Sequence, residues 1–139
     1  MKFSTEAKWT TERKMELKTG NGIKLTAGPP PEFEGYKYVF TAEESFVGSI
    51  NLCWINTLLA MKDKIGIEVR AVGCKAVGTV ERPGKAYEFT KIELYPKIEI
   101  SKDVNEDKLE RLLDLSQRYC LVTQSIKSEI RIYPEIIRI

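Results

Sequence analysis

Thr41-Ala42-Glu43-Glu44-Ser45-Phe46-Val47-Gly48-Ser49-Ile50-Asn51-Leu52-Cys53-Trp54-Ile55-Asn56-Thr57-Leu58-Leu59-Ala60-Met61-Lys62-Asp63-Lys64-Ile65-Gly66 is the stretch that decides the fold. Thr41-Ala42-Glu43-Glu44 reads as a capping box, in which the Thr hydroxyl accepts from the Glu44 amide and the Glu44 carboxylate reaches back. The apolar residues that follow, from Phe46 to Met61, cover more than one stripe and predict a helix buried on most sides. Lys62 and Lys64 suit the negative C-terminal end, and Gly66 ends the helix. Such a helix spans roughly 36 Å. In a chain of 139 residues it must be the central element.

The segments on either side are strands. Upstream, Phe3–Trp9 is one candidate, and residues 13–27 read as a hairpin turned by Thr19-Gly20-Asn21-Gly22. Gly28-Pro29-Pro30-Pro31 opens a loop to residue 40, whose Phe33, Tyr36, Tyr38 and Phe40 are read as packing over the core. Downstream, residues 67–81 and 87–100 form two long strands joined by Arg82-Pro83-Gly84-Lys85. Gly73 is the expected bulge, and Pro96 points to an edge or a bulge. A helix with one apolar face (Leu109, Leu112, Leu113, Ser116) opens at Asn105 and runs to about Tyr119, with Cys120 at its end. Residues 121–128 read as a short helical turn and Glu129–Tyr133 as a last strand, ended by Pro134. Strands grouped in antiparallel-looking sets around helices give the α+β class. The expected organisation is one domain, 1–139, made of N-terminal strands and loop (1–40), central helix (41–66) and a β-β-α-β unit (67–139).

Composition narrows the chemistry. The net charge is +2, from 22 basic and 20 acidic residues. No polybasic block stands out, so nucleic acid is not an expected partner. No apolar run reaches membrane-span length, and the N-terminus lacks an apolar signal core, so a cytoplasmic protein is expected. Histidine is absent and three cysteines are widely spaced. Ser-His-Asp triads, Cys-His nucleophiles and histidine metal sites are thereby removed, and no metal or cofactor is expected. Cysteine is the remaining strong nucleophile. Cys74 alternates with Val72 and Ala76 and fits a small buried strand position. Cys53 lies inside the long helix, where core packing explains it as readily as chemistry. Cys120 lies where a helix ends. Spacing alone leaves both readings of the Cys53/Cys120 pair open.

Two segments resemble known signatures. Glu43 through Cys53 resembles the long-helix segment of the OsmC/Ohr family, in which an acidic residue precedes the first cysteine by ten positions. Asp107 through Ile126 resembles its second signature, a Leu-rich helix ending in Tyr-Cys-Pro-Val-Ser-Asn-Ser/Thr-Leu. The resemblance covers nearly the whole chain, more loosely before Thr41. It implies an intertwined homodimer, with curved antiparallel sheets around the central helix and active sites at the subunit interface. It also implies a thiol-dependent peroxidase for organic hydroperoxides, regenerated by an external dithiol. By the same resemblance Cys53 is the peroxidatic cysteine and Cys120 the resolving one, while Glu43 and Arg13 match the family's acidic residue and arginine. An apolar pocket lined by residues such as Phe46, Val47 or Trp54 would favour alkyl peroxides.

The chemistry fits those roles. An isolated thiol ionises near pH ~8.5, and the field of the helix N-terminus fades within about one turn, so Cys53 needs a nearby cation. Arginine stays charged and forks toward several oxygens at once, and Glu43 can keep its guanidinium in place. The chain departs from the family pattern at Thr11-Glu12-Arg13, where the peroxidase branch has Gly-Gly-Arg. It also has Phe40-Thr41-Ala42 in place of Asn-Pro before the helix, Leu121 in place of proline and Gln124 in place of asparagine. These departures mark a divergent branch. They leave a second reading beside the peroxidase: a non-catalytic dimer of the same fold that binds a small ligand or senses redox state.

Overall fold

The long helix starts at its capping box. The computed structural model describes residues 1–139, and in it α1 runs Ala42–Ile65. The Glu44 N–H donates to Thr41 Oγ1 at 3.0 Å, and that hydroxyl donates to Glu44 Oε1 at 3.3 Å. The carboxylate thus closes the box on the hydroxyl of Thr41. The helix ends at Gly66, whose φ of 78° suits glycine; its N–H and that of Ile67 both donate to the Lys62 carbonyl at 2.9 Å. Ile50, Trp54 and Leu58 recur at a spacing of four and are fully buried. Burial on most sides is not found: Leu52 is 67% exposed and Leu59 36%. Within one chain, α1 buries a single stripe.

Two compact units divide the chain, Met1–Phe46 and Val47–Ile139. The first carries an antiparallel sheet in the order β1 (Thr5–Thr11), β2 (Lys14–Thr19), β3 (Lys24–Ala27). The predicted hairpin is β2–β3, its turn closed by the Ile23 N–H on Thr19 Oγ1 at 3.0 Å. The loop after β3 returns so that Phe40 bridges Ala27 in parallel, with the Phe40 N–H on the Thr26 carbonyl at 2.9 Å. The first turns of α1 follow.

The second unit is built on β4 (Val69–Glu81) and β5 (Glu88–Ile100), which pair antiparallel. Ile92, Leu94, Pro96, Ile98 and Ile100 of β5 share one face and are buried, as the two-residue period dictates. The other side of β5 takes β6 (Glu129–Ile132) and β7 (Glu135–Arg138), both parallel to it. The sheet is therefore mixed and not purely antiparallel. Pro134 does not end the last strand but separates two short ones. Pro96 is neither at an edge nor in a bulge. β6 pairs with β5 up to Leu94 and β7 from Lys97, so the residue without an N–H falls in the interval between them. The β4 irregularities lie between Val69 and Ala71 and between Thr79 and Val80, while Gly73 pairs regularly with Lys97. Asn51 of α1 donates from Nδ2 to the Cys74 carbonyl at 2.9 Å and fixes the helix on β4.

α2 (Glu106–Arg118) is capped as predicted, with the Lys108 N–H on Asn105 Oδ1 at 2.8 Å. Leu109, Leu112 and Ser116 form its buried face. A 3-10 turn, Thr123–Ser125, follows Cys120. No helix is long and apolar enough to cross a membrane.

Candidate active site

Cys120 leaves α2 where the chain must turn. Its carbonyl accepts the Gln124 N–H at 3.1 Å and the Thr123 hydroxyl at 3.1 Å, so the 3-10 turn wraps this residue. Its side chain is fully buried. Cys53 is half-buried on α1, with its carbonyl accepting from Thr57 Oγ1 at 2.7 Å. Both thiols are free. Far apart in sequence, the two residues are neighbours in the fold, close enough that the Cys53 side chain acts on the Cys120 thiol. Burial pushes the Cys120 thiol above its ordinary value; Thr123 opposes this, and Cys53 adds to it. Cys120 is thus kept protonated at neutral pH, the form that donates to a neighbouring sulfur.

That shift has a consequence for stability. A thiol that holds its proton more tightly when folded contributes stability in full below the ordinary value, and loses it as pH rises through the raised one. The advantage of the reduced wild type over Cys120→Ala is expected to shrink from about pH 9 upward. Urea melts of both reduced proteins at pH 7 and pH 10 measure it, and a gap that widens with pH would contradict the buried, protonated state.

Cys74 stands apart from the pair. It is half-buried, less enclosed than a core position requires, and its thiol lies 3.6 Å from the Lys75 carbonyl as donor. Burial raises its thiol as well.

Arg13 and Glu43 belong to the first unit and line the same cavity, of about 790 Å³. Its apolar walls include Ala7, Trp9, Met15, Leu17 and Phe40. Phe46, Val47 and Trp54, expected to line an apolar pocket, do not line this cavity, and Trp54 is wholly buried. Arg13 follows Glu12, a non-glycine residue at φ 54°, a left-handed conformation that costs about 1–2 kcal/mol. The Glu12 carbonyl accepts from Trp9 Nε1 at 2.8 Å and its carboxylate from the Tyr36 hydroxyl at 3.1 Å. The Arg13 guanidinium donates through Nη1 to the carbonyls of Phe33 at 2.9 Å and Glu34 at 3.2 Å. Glu43 does not hold it; Glu43 Oε2 is buried without a hydrogen-bond partner. A buried carboxylate oxygen left bare is costly, so Glu43 Oε2 is the unsatisfied polar group of this cavity. Sequence reasoning gives Glu12 only as a departure from the family pattern, and reads Tyr36, in the aromatic loop, as packing over the core.

The fold is α+β, and Cys53 of α1 and Cys120, just after α2, are neighbours. Comparison gives the family: the chain belongs to the OsmC-like proteins, whose family model matches residues 35–135. An OsmC-like protein of Vibrio cholerae O1 shares the fold with a TM-score of 0.86 at 21% identity, over 99% of each chain. An organic hydroperoxide resistance protein of Elizabethkingia anophelis gives 0.79 at 15% identity, over 100% of this chain and 97% of that one. The uncharacterized protein YmaD of Bacillus subtilis is 22% identical over 138 residues, covering 96% of this chain and 91% of the relative. At these identities the structural likeness establishes the fold.

Proposed function

We propose that this protein is a thiol-dependent peroxidase that reduces organic hydroperoxides through Cys53 and Cys120, acting as a homodimer in the reducing cytoplasm. The observation that carries the reading is the contact between the two sulfurs, one half-buried and one fully enclosed. The Cys53 thiolate attacks the distal oxygen of ROOH and the O–O bond breaks. The alkoxide takes up a proton and leaves as ROH, with Cys53 as the sulfenic acid. The Cys120 sulfur then attacks the Cys53 sulfur. Its proton and the sulfenic hydroxyl depart as water, and the disulfide forms. Two thiols of an external dithiol restore the pair and become a disulfide themselves. Arg13 is assigned the cation of this chemistry and Glu43, which lines the same cavity with Oε2 unpartnered, the carboxylate available to it. The apolar walls of their cavity suit an alkyl or aryl group. The exposure of every residue of β1, and of Leu52 on α1, suits surfaces covered by a second copy.

The test is thiol counting after one equivalent of tert-butyl hydroperoxide. The reduced protein is expected to lose two thiols and gain one Cys53–Cys120 bond, found by peptide mapping. Cys120→Ser is expected to lose one thiol at a first-step rate within about threefold of wild type and to keep a trappable sulfenic acid. Three thiols remaining after peroxide would sink the reading. A non-catalytic ligand-binding role has one observation in its favour: the Arg13 guanidinium rests on loop carbonyls while Glu43 Oε2 lacks a partner.

A further inference from the structure

Three consecutive residues, Glu12, Arg13 and Lys14, are held by one side chain. The Tyr36 hydroxyl accepts the Arg13 N–H at 3.1 Å and donates to Glu12 Oε2 at 3.1 Å. A phenol oxygen has one proton and free lone pairs, so both bonds form together. Lys14 Nζ sits 4.8 Å from the centre of the same ring. The loop that carries Tyr36 also supplies the Phe33 and Glu34 carbonyls that hold the Arg13 guanidinium. Backbone bonds close this loop, from the Gly35 N–H to the Pro30 carbonyl at 3.0 Å and from the Tyr36 N–H to the Pro29 carbonyl at 2.9 Å. Its tightness requires glycine at Gly35, where a Cβ would lie 1.8 Å from the Pro29 oxygen.

We infer that Tyr36 is the positioning residue for Arg13: its hydroxyl holds Glu12 in the left-handed conformation that aims the arginine. The inference rests on the role proposed above for Arg13. A turn at φ 54° needs no support when the residue is glycine. Glutamate there needs partners, and its carboxylate and carbonyl have them in Tyr36 and Trp9. The same phenol that steadies Glu12 fixes the next amide in the chain. The backbone at Arg13 and its guanidinium are thus set by a single loop, Pro29–Tyr36, and a shift at Tyr36 is transmitted to both.

The experiment uses the full chain and four variants: Tyr36→Phe, Glu12→Gly with Tyr36→Phe, Arg13→Ala, and Arg13→Ala with Tyr36→Phe. Tyr36→Phe keeps the ring and removes only the hydroxyl. It is expected to slow the reaction of Cys53 with tert-butyl hydroperoxide about tenfold, as misplacing a reacting group does. Amide exchange at Arg13 is expected to quicken. Adding Glu12→Gly is expected to restore most of the rate, because glycine takes the turn unaided, and a merely structural role for the phenol would give no such rescue. Adding Tyr36→Phe to Arg13→Ala is expected to cost nothing further. A wild-type rate in Tyr36→Phe with a slow Arg13→Ala would overturn the positioning role alone. Unchanged Arg13 exchange in Tyr36→Phe would overturn the clasp itself. A wild-type rate in Arg13→Ala would overturn the role of Arg13 and the inference with it.

Discussion

Cys53→Ser is expected to lower kcat/KM for tert-butyl hydroperoxide at least about a thousandfold, to the rate of the free reductant. A serine hydroxyl occupies the same place but has no thiolate to offer, and it cannot store the oxygen taken from the peroxide. Neither remaining cysteine is a substitute. Burial holds the thiols of both Cys74 and Cys120 above their ordinary value, so each is mostly protonated at neutral pH. Cys120 is in addition wholly enclosed, beyond the reach of a bulky peroxide. Peroxide consumption with excess dithiol measures the loss. Retention of a tenth of wild-type activity would place the nucleophile elsewhere.

Arg13→Ala is expected to cost about a hundredfold in kcat/KM, the range seen when one charged donor to a developing anion is removed. Negative charge gathers on the peroxide oxygens as the O–O bond stretches, so the loss should fall on the chemical step. Arg13→Lys is expected to recover little, since an ammonium lacks the planar fork. The fold should hardly notice either change. Arg13 is exposed, and its side-chain bonds go to loop carbonyls that water can reach. Stopped-flow oxidation of Cys53, with thermal melts alongside, separates the two effects. A rate within threefold of wild type would remove Arg13 from the mechanism.

Where the sequence could be read, the signal was local. The Thr41 box, the Asn105 cap and the Gly66 stop each involve residues within one turn of each other, and the helix ends follow from them. The β2–β3 hairpin is as local. Trouble began where partners are distant. Pro134 looked terminal because nothing near it says that β5 has room for a second parallel strand beyond Leu94. Pro96 looked like an edge residue for the same reason: its place in a central strand depends on where β6 and β7 stop and start. Gly73 drew the bulge in prediction, yet the register slips at Arg70, whose side chain gives no hint of it.

The thiol pair came by a different route. Contact between Cys53 and Cys120 is tertiary, and no periodicity encodes it; the family resemblance brought the two together on paper. Glu12 misled in an instructive way. Glutamate in place of glycine reads as a change in chemistry, yet the backbone there takes a left-handed turn. The support comes from Tyr36, more than twenty residues away, in a loop that composition marks only as aromatic. Side-chain support for a disfavoured dihedral leaves no trace in a single sequence.

The wide chain separation of the touching sulfurs has a thermodynamic side. A bond between Cys53 and Cys120 would tie off a loop of roughly 70 residues and remove about 4 kcal/mol of chain entropy from the unfolded ensemble. An oxidised form is therefore expected to resist heat better than the reduced one, even if the native atoms barely move. Under the proposed mechanism each turnover would alternately tighten and relax the molecule's hold on its fold.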